Sequence, residues 1–318
     1  MWQVKFVIAG LLVYYLFSSG KLSLELFHEV FSARGLFYLI VAVCFIMVAY
    51  FVSSWRLFLL FRVQGLPFSK NLCFQINLLG LFFNNFLPAS IGGDAMRAYY
   101  FAKGRRAQLA AILATLVYDR LLGLAALIVG AFLGLSLAWG VDVDFIWTPE
   151  FRWAYVVMAV AFLCFVLSFG LSRWPRFMAV LNSLVAKIPW GEALARFLAS
   201  FADLTKYGLL SVALLGISLI PHLFSILALY VTGQAFGIDS SLWLTIILSP
   251  LIFLSGILPL SPNNIGWTEY LGSLIWSSQG IGGGGNLWMA FRLVCALTSL
   301  TGLIVYLRLK AGALTHES

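Results

Sequence analysis

The stretch Asn84-Asn85-Phe86-Leu87-Pro88-Ala89-Ser90-Ile91-Gly92-Gly93-Asp94-Ala95-Met96-Arg97 sets a proline, two glycines, an acid and a base inside a run that is apolar on both sides. A continuous membrane helix does not tolerate that combination. Proline and glycine break the backbone ladder, and an ionisable side chain at mid-bilayer costs roughly 2.5–3.5 kcal/mol. A second stretch, Leu258-Pro259-Leu260-Ser261-Pro262-Asn263-Asn264-Ile265-Gly266-Trp267-Thr268-Glu269, repeats the Leu-Pro-x-Ser opening and again ends on an ionisable residue. Pro88 and Pro259 lie 171 residues apart, about half the chain.

Outside these breaks the chain is overwhelmingly apolar. Of 318 residues, 62% are hydrophobic and 10% are charged, against about 25% charged in soluble domains. The mean hydropathy is +0.98. These values specify an all-α integral membrane protein. The net charge of +8 comes from 20 basic residues scattered between apolar runs. They form no continuous basic face, which excludes nucleic acid as a partner and fits cytoplasmic loops that meet anionic lipid. Four single cysteines (Cys44, Cys73, Cys164, Cys295) have no metal-ligand spacing and read as buried thiols. The N-terminal apolar run has no small-x-small cleavage site and is taken as a first span.

Runs of about 17–25 apolar residues mark spans, and Lys and Arg in short loops orient them. Spans are expected at 4–19 and 35–53. The following loop, with Arg56, Arg62 and Lys70 and no acid, is expected to be cytoplasmic. The segment 71–102 returns to a second basic cluster, Lys103-Gly104-Arg105-Arg106, and so reads as a re-entrant pair of half-helices broken at the opening stretch. A span at 107–139 follows, then an acidic external loop (Asp142, Asp144, Glu150), a span at 153–172, and a cytoplasmic segment 173–206. In that segment Leu194, Phe197, Leu198, Phe201 and Leu204 recur at helical spacing, as in an interfacial helix. Spans at 209–232, with a kink at Pro221-His222, and at 287–307 leave 242–280 as a second re-entrant pair, entered from outside. The expected architecture is a single integral membrane domain, 1–318, with about six full spans plus two re-entrant hairpins. Its inverted repeats are placed at roughly 35–140 and 205–310, with both termini cytoplasmic and the protein in the cytoplasmic (inner) membrane.

Backbone freed at membrane depth must be buried in protein or line a wet cavity. Asp94, after Gly92-Gly93, reads as an N-cap, and Arg97 follows one turn on, on the same face. A half-helix N-terminus with a guanidinium beside it suits an anion such as a phosphodiester; an internal Asp94–Arg97 pair with no ligand is the alternative. In the second break Asn263 or Asn264 is expected to cap the half-helix. Glu269 is expected to pair with Arg97, Arg120 or Arg292, or to accept a proton. Asp119 and Arg120 are adjacent, point about 100° apart on a helix, and need separate partners, at least one on a hairpin. Arg292 is placed to snorkel outward. His222 reads as a ligand to backbone at a kink. The three histidines are dispersed, and no metal-binding pair, nucleophile elbow or phosphate loop occurs. No catalytic residue, metal or cofactor is expected.

The breaks resemble those of a known family, the lysylphosphatidylglycerol synthase transmembrane-region family, the membrane flippase half of the bacterial multiple peptide resistance factor. The resemblance rests on Leu87-Pro88-Ala89-Ser90-Ile91-Gly92-Gly93-Asp94 with Arg97, on Asp119-Arg120-Leu121-Leu122-Gly123-Leu124, on Leu258-Pro259-Leu260-Ser261 through Gly266 to Glu269, and on Arg292. It covers essentially the whole chain. Asn263-Asn264 stand where the family has glycines, and Thr268 where it has a base. With the chain stopping at Ser318, lysyl transfer is not expected. The resemblance implies translocation of a polar or lipid-linked, phosphate-containing lipid, with Arg97 on the phosphate and Asp94, Asp119 and Glu269 gating. Stand-alone relatives are associated with polar lipid, hopanoid or lipid-linked sugar pathways. Two other expectations stay open: a membrane-embedded enzyme on a lipid-linked substrate with Glu269 or Asp94 as base, and a non-catalytic partner that docks a cytoplasmic synthase through 173–206.

Overall fold

A computed structural model describes residues 31–86, 92–139, 191–206, 208–238, 240–256 and 260–315, with parts of 10–19 and 152–167. Among these residues there is helix and no strand. Nine helices are labelled here: α1 (Ala33–Val63), α2 (Lys70–Phe86), α3 (Gly92–Ala102), α4 (Leu109–Trp139), α5 (Gly191–Lys206), α6 (Gly208–Ala235), α7 (Leu242–Ser255), α8 (Trp267–Ser277) and α9 (Gly284–Thr315). Short 3₁₀ turns precede α4 (Arg106–Gln108) and α8 (Pro262–Asn264).

Four of these helices (α1, α4, α6 and α9) are long and apolar enough to cross a membrane. About half of each expected span at 4–19 and 153–172 lies outside the described residues, and the acidic loop and 173–190 lie outside them entirely.

The first expected boundary is wrong. Span 35–53 was expected to end before Arg56, but α1 runs to Val63 and buries Arg56 inside the bundle. The stop is Gly65, at φ +68, where the Leu66 amide bonds back to the Phe61 carbonyl (2.9 Å) and the Gly65 amide to the Arg62 carbonyl (3.1 Å). This 6→1 and 5→2 pairing closes a helix through a left-handed residue, and Phe61 and Leu66 supply its apolar contact. Composition at Arg56 was misleading because the arginine has a buried partner, described below.

Both breaks are hairpins. At about 1.5 Å per residue, α2 and α3 are about 26 and 16 Å long, and α7 and α8 about 21 and 16 Å, less than the ~30 Å hydrocarbon core. The arms of the first hairpin open at one end. Phe68, just before α2, meets Phe101 near the end of α3 edge to face (4.9 Å), both meet Phe61 (4.6 and 4.7 Å), and the Arg105 guanidinium lies 4.7 Å over Phe68. The second hairpin closes likewise, with Ile238 packed beside Gly283. Its mouth lies at the other end of α1, because Gly237 and Ile238 share a surface pocket with Ser32, Arg34 and Gly35.

Apolar burial gives no drive between helices in lipid, so close approach through small residues matters. Gly302 of α9 sits directly on the Leu78 carbonyl of α2, Gly93 of α3 on the Gly80 carbonyl, and Gly284 of α9 on the Gly272 carbonyl of α8. A Cβ at any of the three would overlap backbone. α1 packs along α6, α2 lies against α9, and α7 lies against α4. The expected amphipathic helix is present as α5. It lies on α4 and α6, with Leu204 buried, Phe201 against Tyr118 (5.3 Å) and its Ser200 carbonyl accepting from Gln64 (2.6 Å). Pro221 does not end the helix: α6 runs through it from Gly208 to Ala235.

Candidate functional site

Five charged side chains meet where α1, α3, α4 and α6 converge. Arg56 donates through Nε to Asp119 Oδ1 (2.9 Å), through Nη2 to the Asp119 carbonyl (3.1 Å), and through Nη1 to Ser218 Oγ (2.7 Å). Asp119 also faces Arg97 Nη2 at 3.4 Å. Arg97 reaches Asp94 at 3.2 Å, and Arg120 donates to the same Asp94 oxygen through Nε (3.0 Å) and Nη2 (2.5 Å). The result is an alternating row, Arg56–Asp119–Arg97–Asp94–Arg120. Three guanidinium groups face two carboxylates, which leaves one unit of positive charge.

The row is unevenly held. The Arg56 and Asp119 side chains are 7% and 5% exposed, with short bonds between them. Asp94 is 35% and Arg120 53% exposed. Arg97 is 6% exposed, its two contacts are long, and its buried Nε has no partner among the described residues. A buried donor left unmade costs about 1–3 kcal/mol, so Arg97 is the group with hydrogen-bonding capacity to spare. Gly80 makes room for it: a Cβ there would come within 2.7 Å of Arg97 Cδ and 2.8 Å of Cγ.

This row lines a cavity of about 570 Å³, inside the range of small-ligand sites, roughly 300–1,000 Å³. Asn77 and Asn84 of α2, Tyr50 of α1 and His222 of α6 add polar lining, and Leu81, Leu124 and Leu127 add apolar walls. His222 Nε2 lies 2.9 Å from the Gly123 carbonyl of α4. A carbonyl only accepts, so that nitrogen carries the proton.

Asp94 is not the N-cap that its position suggested. α3 starts two residues earlier, and Asn84 at the end of α2 accepts from the Gly93 amide (2.9 Å). The cap comes across the hairpin, which frees the Asp94 carboxylate for the two arginines. Asp119 and Arg120 take separate partners, as their 100° offset required, and both reach α3. Gly92 and Gly93 open that helix, while Pro88 and Ser90 lie outside the described residues.

The second break makes a different object. Arg292 of α9 donates to Glu269 Oε1 (2.5 Å), to the carbonyls of Asn263 (2.7 Å) and Asn264 (3.0 Å), and to Thr268 Oγ1 (2.7 Å). Glu269, fully buried, returns its other oxygen to the Gly266 amide (2.7 Å). Arg292 therefore does not snorkel, because four acceptors hold it inside the bundle. Neither asparagine caps α8; that residue is Gly266. Asn263 and Asn264 adopt left-handed φ values of 49° and 55°, which turn their carbonyls toward Arg292. One guanidinium balances one carboxylate here. Glu269, Arg292, Asn263, Asn264 and Gly266 do not line the cavity; Asn264 touches it only through Gly256, whose carbonyl accepts from its side chain (2.5 Å). Pro259 lies outside the described residues. The two breaks thus form a charged cavity and, beside it, a closed ion lock.

Arg56, Ser218, Asn84 and Gly80 were not singled out from the sequence. Arg56 alone carried a usable signal, through the helix stop at Gly65-Leu66-Pro67, twelve residues beyond the end of the expected span.

Comparison with known proteins gives a consistent result. Residues 2–310 match the family described as Lysylphosphatidylglycerol synthase TM region. Two proteins of Methanothermobacter thermautotrophicus, both named UPF0104 membrane protein, are similar to this chain. One is 23% identical over 222 residues, covering 65% of this chain and 64% of the relative. The other is 24% identical over 256 residues, covering 74% and 73%. The chain therefore spans a little under two thirds of the first relative's length. No solved structure matches.

Proposed function

The chain belongs to the lysylphosphatidylglycerol synthase transmembrane-region family, and from that premise we propose that it carries a lipid with a phosphate-bearing headgroup between the leaflets of the cytoplasmic membrane. The observation that carries this is the surplus of one arginine around a cavity at membrane depth. A cationic, partly open cavity inside an apolar bundle attracts an anionic headgroup, while the acyl chains remain in lipid. Arg97, whose Nε has no partner among the described residues, is the proposed phosphate ligand, and Arg120 at the exposed end of the row is the first contact. Arg56 and Asp119 hold the row in place. Glu269 and Arg292 brace the second hairpin.

Alternating access through inverted repeats is part of this proposal. It is supported by the register of the helices: α6 begins 175 residues after α1, α8 175 after α3, and α9 175 after α4. Exchanging α1 with α6, α2 with α7, α3 with α8 and α4 with α9 maps their packing pairs onto one another. The hairpin mouths lie at opposite ends of α1. The first is rimmed by Arg62, Lys70, Lys103, Arg105 and Arg106, against Arg34 among the described residues at the second, which supports a cytoplasmic first mouth.

The test is translocation of fluorescent phospholipid in proteoliposomes, scored by accessibility to a membrane-impermeant quencher. Wild type is expected to exceed protein-free vesicles, and Arg97→Ala to fall to their level while remaining folded. An Arg97→Ala protein that translocates at the wild-type rate refutes the assignment. Chemical conversion of the lipid by purified protein in detergent would instead indicate an enzyme.

A further inference from the structure

Resting on the anion cavity just proposed, we infer that Asp94 is a tethered competitor: its carboxylate occupies the place taken by the headgroup phosphate, and loading exchanges one anion for the other. The geometry separates Asp94 from every other acid of the two breaks. Asn84 supplies the cap of α3, so the carboxylate has no task in holding the helix end. One of its oxygens instead collects three N–H donors from two arginines on two helices, the pattern in which arginine forks hold a phosphate oxygen. Asp119 and Glu269, by contrast, are 5% and 0% exposed and locked by Arg56 and Arg292. Asp94 is 35% exposed, and its main partner Arg120 is 53% exposed, so this end of the row has room to part.

Comparison of the two halves sharpens the point. Asp94 and Glu269 are each the third residue of the second arm of their hairpin. In the second half Arg292 and the Gly266 amide close around the acid, and the Asn263 and Asn264 carbonyls hold the arginine in place. In the first half the acid engages Arg97 at one long contact, and Arg97 Nε has no partner among the described residues. A carboxylate on a short tether satisfies this pair of arginines incompletely; a tetrahedral phosphate presents oxygens to both and to the free Nε. The unloaded site is then self-liganded, which lowers apparent affinity by the fraction of time it stands open. A competitor in place also hastens release.

The experiment measures binding of dihexanoyl phosphatidylglycerol, and separately of inorganic phosphate, to the full chain in detergent by intrinsic tryptophan fluorescence or calorimetry. Asp94→Asn and Asp94→Ser are both expected to bind the lipid probe about tenfold more tightly than wild type, Asp94→Glu to match wild type, and Arg97→Ala to lose binding in either background. Phosphate competing with the lipid probe identifies the shared chemistry as the phosphate group. If Arg97→Ala abolishes binding while both neutral Asp94 variants bind as wild type or more weakly, the competitor inference falls and the anion cavity stands. If Arg97→Ala and Arg120→Ala also bind as wild type, the cavity itself is misassigned and both fall. Size-exclusion behaviour and thermal unfolding of each variant exclude loss of fold as the cause.

Discussion

Replacing Asp119 with alanine removes the carboxylate that links α1 to α4. Two Arg56 nitrogens lie close to its Oδ1, Nε in a hydrogen bond of 2.9 Å and Nη2 in an ion-pair approach of 2.8 Å, with both side chains almost fully buried. Neutral hydrogen bonds between membrane helices average only about 0.6 kcal/mol, because the unfolded chain in lipid finds other partners. An ion pair broken from one side behaves differently: it strands a charge, and such breaks cost about 3–5 kcal/mol. Asp119→Ala strands two arginines and raises the charge of the row from +1 to +2, so the loss should fall within that range. At 1.4 kcal/mol per tenfold, this is roughly a hundredfold to several-thousandfold rise in the unfolding constant. The assay is equilibrium unfolding in mixed micelles, followed by tryptophan fluorescence. The decisive variant is the pair Arg56→Met with Asp119→Leu, which restores the row to +1 and fills the space with apolar atoms. It should be more stable than either single variant, with a coupling of at least about 1.5 kcal/mol. A loss below about 1 kcal/mol for Asp119→Ala, or losses that simply add in the double variant, would refute the role given to this pair.

Two further outcomes follow from the geometry. Gly80→Ala forces its new methyl against Arg97 Cγ and Cδ; overpacking costs about 1–3 kcal/mol, and displacement of the guanidinium should weaken binding of the phosphatidylglycerol probe by about tenfold or more, as one lost charge-assisted hydrogen bond allows. Wild-type affinity in Gly80→Ala would show that Arg97 needs no such slot. Glu269→Ala should lose about 3–5 kcal/mol of stability by stranding Arg292 and the Gly266 amide, yet leave probe affinity within about threefold of wild type at a temperature where the variant is folded. A large affinity change would move the second break into the binding site.

Much of the architecture was legible in one dimension. Composition and the two Leu-Pro-x-Ser breaks specified a helical membrane bundle with paired half-helices, because lipid forces every backbone group to be satisfied internally and leaves few alternatives. The loop charges correctly brought both ends of the first hairpin together. Asp94, Arg97, Asp119 and Arg120 were recognisable because an ionisable residue in such a chain needs a reason to be there. Other features were not legible, for reasons that are also physical. Arg56 looked like a loop residue because charge was read without its partner, 63 positions away. Asp94 looked like a cap because local spacing cannot reveal that Asn84, folded back across the hairpin, already fills that place. The matching motifs read as a related pair of breaks, but whether a charged group opens to a cavity or closes into a lock depends on which helix lies opposite. Sequence determined that the chain breaks at two places and that Asp94, Arg97, Asp119, Arg120 and Glu269 belong inside the bundle. Only the tertiary structure decided the pairing, for an ion pair is set by distances between helices: three arginines against two acids at the first break, one against one at the second.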